Sequence, residues 1–223
     1  MTDERKTPLA GGMEGWTNAE TPAAADALDR LGKSGQVLDP TVRALDGSGV
    51  LVGRARTMQF APGETAQDYD ELMERLIAFI ESLQPGDVPV VACGWPNRYT
   101  IIGEIIATAA QMRGSPGWVT DGWIRDSQGI RGIGYQVFCS GFSPLSFIKR
   151  ARIVSVDMPV ICAGTLVETN DIVLGDGDGC VVVPNSYSAE VQEMLNADVE
   201  SDVVMRQALR DGKSFSQVLA ETH

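Results

Sequence analysis

Residues 88–121 constrain the fold of this chain more than any other stretch. Residues 88–93 (VPVVAC) form a short continuous apolar run of the kind a strand covered on both faces requires. Residues 103–112 (GEIIATAAQM) have the length and composition of a helix, and residues 117–121 (GWVTD) read as a second short strand. Strands joined through a helix run parallel, because a tight hairpin cannot connect them that way. The chain is therefore expected to be an α/β protein with a central βαβ unit.

The flanking segments extend that frame. Residues 21–32 combine Thr21 as an N-cap candidate, Pro22 at the first helical position and Gly32 as a stop, and read as a short helix. Residues 50–60 read as a strand ending at the Pro62-Gly63 turn. Residues 65–83 give the clearest helical pattern, with Leu72, Leu76, Phe79, Ile80 and Leu83 at i, i+4, i+7, i+8 and i+11. Residues 135–139, 151–156, 160–163, 172–174 and 180–183 are short strands between turn residues, and residues 188–223 are largely helical. Residues 1–16 are polar and contain glycine, which suggests a loose arm. A length of 223 residues without repeats or a low-complexity linker suits a single domain, 1–223.

Composition removes several chemistries. The one histidine is His223, at the end of the sequence, so Ser-His-Asp and Cys-His systems and histidine-based zinc sites have no internal imidazole. None of the lysines, Lys6, Lys33, Lys149 and Lys213, lies in an apolar run that would depress its pKa for Schiff-base chemistry. Cys93, Cys139, Cys162 and Cys180 are widely spaced with apolar flanks, which fits buried thiols rather than a disulfide framework. A net charge of −12 opposes binding to nucleic acid or anionic lipid. No apolar stretch approaches the roughly 20 residues that span a bilayer, and no apolar signal segment is present, so a cytoplasmic protein is expected. A metal bound by this chain would have carboxylate ligands, which favours Mg²⁺ or Mn²⁺.

The parallel unit also says where chemistry should sit. The loops that leave both of its strands, residues 94–102 and 121–126, meet at the carboxyl edge of the sheet, where open α/β sheets bind ligands. Glu104 and Asp126 would share that rim and could hold a hydrated Mg²⁺, while Arg125 could donate to an oxyanion. Beside Gly103, the N–H groups of Glu104, Ile105 and Ile106 would form a site for a substrate carboxylate. The plainer alternative is a surface ion pair between Arg125 and Asp126, with Glu104 complementing the helix dipole.

Residues 103–130, GEIIATAAQMRGSPGWVTDGWIRDSQGI, resemble the central signature of the RraA-like family, a GE/GD helix start followed by DGxxRD. Asp26-Ala27-Leu28, residues 84–88 (QPGDV), Pro144 and residues 175–184 (GDGDGCVVVP) match further along, in the expected order. The resemblance implies a swivelling β/β/α layered fold that assembles as trimers or hexamers with active sites between subunits. It also implies a divalent-metal-dependent aldolase that cleaves 4-hydroxy-4-methyl-2-oxoglutarate or a similar 4-hydroxy-2-oxo acid to pyruvate, with oxaloacetate decarboxylase side activity. In that family the aspartate of RD binds the metal, the arginine binds substrate and the helix-start carboxylate holds metal-bound water. Those roles fall on Asp126, Arg125 and Glu104.

A further acid comes from a neighbouring subunit in the aldolases, and Glu200 is the nearest match. The alternative that the same resemblance carries is an RraA-type regulator that binds RNase E without catalysis. Two segments depart from the pattern: Thr169-Asn170-Asp171 replaces Pro-Gly-Asp, and residues 95–99 (WPNRY) fill the substrate loop unusually. Asn170 can still take a left-handed turn. Residues 175–179 (GDGDG) lack the spacing of a calcium loop and read as a structural turn. Trp95, Trp118 and Trp123 surround the candidate site, as packing or as substrate contacts.

Overall fold

The computed structural model describes residues 13–16, 19–47, 49–63, 69–94 and 99–221, apart from the side chains of Glu14, Glu200 and Glu221. In chain order these form α1 (Thr21–Arg30), β1 (Arg43–Ala44), β2 (Leu51–Pro62), α2 (Tyr69–Ser82), β3 (Asp87–Ala92) and β4 (Thr100–Ile102). Next come α3 (Glu104–Met112), β5 (Gly117–Thr120), β6 (Trp123–Ile124), α4 (Ser127–Gly132), β7 (Gln136–Cys139), β8 (Gly141–Phe142) and β9 (Ala151–Val156). The chain closes with β10 (Val160–Cys162), β11 (Thr165–Val167), β12 (Ile172–Gly175), β13 (Cys180–Val183), α5 (Ser188–Arg210) and α6 (Phe215–Glu221).

The expected βαβ unit is present, with β3 and β5 parallel on either side of α3. It sits inside an eight-stranded mixed sheet of order β1-β7-β5-β3-β2-β12-β13. β2, β3, β5 and β7 are parallel, and β1, β12 and β13 add antiparallel neighbours. β2 is long enough to serve two partners along one edge: Leu51–Arg54 pair with β12, and Met58–Pro62 pair with β9 past a bulge at Gln59/Phe60. Three short strands, β4, β6 and β8, form a separate parallel sheet.

Strand alternation sorts the core into layers. Met58, Phe60, Val91 and Trp118 face the helices of one side and pack with Leu72 and Phe79 of α2, Ala107 and Ala110 of α3, and Ile130 of α4. Farther along that face, Val52, Ile172, Leu174, Val181 and Val183 take α1 and the first half of α5. The alternate residues, Leu51, Ala55, Val88, Val90, Val173 and Val182, point the other way and are covered by the β10–β11 hairpin through Val160, Cys162 and Val167. Hairpin, sheet and helices thus make the β/β/α layering. Fully burying one such Leu, Ile or Phe contributes roughly 1.5–3 kcal/mol, so the pattern alone strongly fixes which face each strand presents.

Several boundaries depart from the sequence reading. Thr21 is not the N-cap of α1; Glu20 holds that position without a side-chain cap bond. The Thr21 N–H and hydroxyl instead donate to Asp176 at 2.8 and 2.6 Å, so a distant carboxylate caps the helix, which periodicity cannot reveal. Asp176 also accepts from the Asp178 N–H, which makes the GDGDG segment a structural turn as expected. The supposed arm is not loose throughout, since Met13 and Trp16 are buried against the α1 layer. Residues 1–12, the first turn expected for the 65–83 helix and residues 95–98 of the substrate loop lie outside the described residues. All four cysteines are free and buried.

α5 packs on α1 through an Arg30–Asp198 ion pair. Beyond it, Val199, Val203, Val204 and Leu209, with Phe215 and Leu219 of α6, are exposed in this single chain. Among the described residues no helix is long and apolar enough to cross a membrane.

Candidate active site

The carboxyl edge of β3 and β5 brings together what the sequence suggested. β4 leads into α3, and β6 lies beside β4 with the Arg125 N–H donating to the Ile102 carbonyl at 3.0 Å. This short parallel pairing sets residues 102–104 next to residues 124–126. The Glu104 N–H donates to Asp126 Oδ2 at 3.3 Å, and Arg125 Nε lies 3.5 Å from the same oxygen. The Glu104 amide and the Arg125 guanidinium therefore meet at the Asp126 carboxylate, with both members of the ion pair about half exposed, while the Glu104 carboxylate lies over Gly129.

Asp126 owes its position to an uncommon backbone. It holds φ 54° and ψ 35° at the N-cap of α4, yet its side chain makes no bond to its own helix. The left-handed conformation turns the carboxylate away from α4 and toward Glu104. Aspartate tolerates this region better than most residues, but the strain is on the order of 1–3 kcal/mol. Ile130 N–H still donates to the Asp126 carbonyl at 3.0 Å, which anchors the helix start.

Two glycines make room for the acidic groups. A Cβ on Gly103 would fall 2.5 Å from Asp126 Oδ2 and 3.0 Å from Arg125 Nε. A Cβ on Gly129 of α4 would fall 2.1 Å from Glu104 Oε2. The sequence reading placed Gly103 at the helix start but missed Gly129. The signal available was a glycine inside the first turn of a helix, where propensity disfavours it.

One expectation is corrected. The Glu104 N–H is not open to a substrate, because Asp126 occupies it. Ile105 and Ile106 remain as the first-turn amide donors of α3, and the Ala107 N–H already closes the first helical bond to the Gly103 carbonyl. Asp126 and Glu104 offer hard oxygen donors of the kind Mg²⁺ or Mn²⁺ accepts, and among the described residues no third carboxylate, histidine or cysteine completes a cluster. Two carboxylates would leave most of such a cation's coordination shell to water and substrate.

The aromatic expectations divide. Trp118 is core and Trp123 packs across Gly141, where a Cβ would lie 3.1 Å from its ring; Trp95 is outside the described residues. Tyr99 is buried, with burial first and then Cys93 and Asp121 pushing its hydroxyl pKa up. Glu200 lies in α5, the helix that packs on α1 and, through Val191 and Leu195 of its first half, on the sheet residues beneath it. Asn170 takes φ 77°, the left-handed turn expected of it.

Sequence reading treated Asp121 only as the start of the DGxxRD loop. It is 6% exposed, and its Oδ1 accepts the Cys93 N–H at 2.7 Å while Oδ2 lies 3.4 Å from the Ala163 N–H. Burial raises its pKa, and the bonds from Cys93 and Ala163 oppose the rise. Burial likewise pushes the Cys93 and Cys162 thiols well up, so neither is a nucleophile near neutral pH.

Comparison with known proteins gives a consistent picture. The family model described as RraA-like, Aldolase/RraA, matches residues 21–182. A provisionally named 4-hydroxy-4-methyl-2-oxoglutarate aldolase from Halalkalibacterium halodurans is 29% identical over 191 residues, covering 86% of this chain and 85% of its own. The crystal structure of Streptomyces coelicolor RraAS2, described as an unusual member of the RNase ES inhibitor RraA protein family, superposes with a TM-score of 0.79. It shares 28% identity and covers 90% of this chain and 99% of its own. An uncharacterised protein from Pseudomonas syringae superposes with a TM-score of 0.82 at 25% identity, over 96% of each chain.

Proposed function

The chain belongs to the RraA-like family, and from that premise we propose that it is a divalent-metal-dependent aldolase that cleaves a 4-hydroxy-2-oxo acid of the 4-hydroxy-4-methyl-2-oxoglutarate type. The observation that carries this reading is the meeting of Glu104, Arg125 and Asp126 through the Glu104 N–H to Asp126 Oδ2 bond. A binding surface has no need of two glycines cleared for two carboxylates. Pyruvate and a second oxo acid are the products, and oxaloacetate decarboxylation, which passes through the same pyruvate enolate, is the expected side activity.

Asp126, with Glu104 through water, would hold Mg²⁺ or Mn²⁺, which when bound supplies an electron sink for the 2-oxo oxygen. Arg125 pairs with the substrate carboxylate and stabilises the charge that grows as the C3–C4 bond breaks. The Ile105 and Ile106 amides orient the same carboxylate at the positive end of α3. Glu104 receives the proton of the C4 hydroxyl through a water, and the C3–C4 electron pair moves into the enolate of pyruvate. Glu200 of a neighbouring subunit is the further acid, so the active species is a trimer or hexamer. A cytoplasmic location follows the same reading.

The test is release of pyruvate in Mg²⁺ from 4-hydroxy-4-methyl-2-oxoglutarate, 4-carboxy-4-hydroxy-2-oxoadipate and oxaloacetate. Turnover of none of the three would overturn the proposal. The likeness to RraAS2 favours a second reading, a regulator that binds an RNase E-type enzyme. Inhibition of such an enzyme by wild type and Asp126→Asn alike, without pyruvate release, would select it.

A further inference from the structure

The other end of the DGxxRD loop opens on a different cavity. It encloses about 520 Å³ on the hairpin side of the sheet, within the usual range for a small-molecule pocket. Its walls include Asp39, Thr41, Gln59, Asp121, Ile161 and Ala163, and Glu104, Arg125 and Asp126 are not among the described residues that line it. We propose that this cavity is a second ligand site, which takes a small organic cation: an ammonium or guanidinium group on a short apolar stem.

The polar groups of the cavity are almost all acceptors. Asp121 is buried and makes no ion pair among the described residues, and its Oδ2 has only the long 3.4 Å contact with the Ala163 N–H. A carboxylate held in the interior without a counter-charge is costly, and a cation entering from solvent removes that cost. Gln59 adds a carbonyl oxygen, because its Nε2 is already engaged by the Phe60 and Ala92 carbonyls at 2.6 and 3.0 Å. Asp39, exposed and fixed by the Thr41 N–H at 2.9 Å, adds a second negative charge. No lysine or arginine is among the described residues of the wall. The same charges repel a 2-oxo acid dianion, so the cavity does not duplicate the proposed aldolase site.

The apolar part is equally fixed. Ala163 and Gly164 form the turn of the β10–β11 hairpin at φ +48° and +83°, the two left-handed residues of a tight hairpin turn. That turn presents Ala163 to the cavity beside Ile161, and together they give a short hydrocarbon stem a surface to cover. Asp121 is held by the Cys93 N–H just beyond β3 and by the Ala163 N–H of the hairpin turn, so the acceptor is positioned before a ligand arrives.

Full-length protein is titrated by calorimetry with n-butylammonium chloride at neutral pH, with sodium butyrate as the anionic counterpart. Saturable binding of butylammonium, at least about tenfold weaker in Asp121→Asn and absent for butyrate, supports the site. Ile161→Trp, on the half-exposed wall, provides a second reading should Asp121→Asn fail to fold, and it should weaken butylammonium binding by narrowing the cavity. Arg125→Ala should bind butylammonium as wild type does, which separates this site from the aldolase centre. No saturable binding to wild type, equal binding by the folded Asp121→Asn and Ile161→Trp variants, or butyrate binding as strong as butylammonium overturns the proposal.

Discussion

The carboxylate of Glu104 lies over Gly129, so close that a Cβ on that glycine would stand 2.1 Å from Oε2 and 2.5 Å from Cδ. The contact is with the far end of a flexible side chain, so an added methyl would displace Glu104 rather than the backbone. Gly129→Ala should therefore keep or slightly raise the melting temperature, since alanine favours a helix by about 0.5–1 kcal/mol. Pyruvate release should fall on the order of tenfold or more because the carboxylate has moved. Unchanged kcat in a folded Gly129→Ala protein would show that Glu104 takes no part in turnover.

Asp126 provides a second separation of stability from activity. Replacement by glycine relieves the left-handed backbone at φ 54°, which offsets the entropy cost of glycine and the loss of the exposed carboxylate contacts, so stability should stay within about 1 kcal/mol of wild type. The same variant removes the proposed metal ligand and should have no Mg²⁺-dependent turnover. Denaturant titration and a pyruvate assay on one preparation read both effects, and an active Asp126→Gly destabilised by well over that amount would contradict both.

Arg125→Ala should lower kcat on the order of 10²-fold. Stability should change by less than about 1 kcal/mol, because the ion pair with Asp126 is half exposed. Loss confined to KM would instead mark Arg125 as a uniform binding group.

Chelation should abolish wild-type turnover, and Mg²⁺ or Mn²⁺ should restore it; full activity in EDTA would exclude the proposed metal role. Wild-type activity in a Glu200→Ala protein would remove the neighbouring-subunit assignment. Inactive Asp126→Ala and Glu200→Ala chains, dissociated and reassembled together, should regain some turnover, since a mixed interface can contain one intact site.

Asp121 gives a pH dependence whose sign is fixed. Burial raises its folded pKa above the ordinary 3.8, so the folded state binds the proton more tightly than the unfolded chain. Its contribution is most favourable below 3.8 and is lost as pH rises through the folded value. Asp121→Asn should thus gain stability relative to wild type at neutral pH, and the gain should disappear in acid. A difference that grows as pH falls would contradict the assignment. Burial displaces Cys93 and Cys162 upward as well, and those thiols stay protonated across that range.

The βαβ unit was legible because residues 88–93 are a continuous apolar run and residues 103–112 have the length and composition of a helix. The meeting of Glu104 with Asp126 followed from topology, with the DGxxRD resemblance naming the chemistry. The parallel sheet of β4, β6 and β8 was not legible, since strands of two or three residues carry no period. α4 was hidden for a related reason: its residues, SQGIRG, include two glycines, and it starts from a left-handed aspartate. Asp121 was passed over because a buried carboxylate has the same letter as an exposed one. Only the Cys93 and Ala163 amides, contributed by separate parts of the chain, distinguish it.

The clasp between Thr21 and Asp176 links positions 155 residues apart. At a synthesis rate of about 5–20 residues per second, the first turn of α1 waits on the order of ten seconds for its carboxylate during translation. Val181 and Val183, which face the same helix, emerge later still. The amino-terminal helix is therefore among the last pieces that the nascent chain can secure, and its apolar face remains available to chaperones while the central sheet is being made.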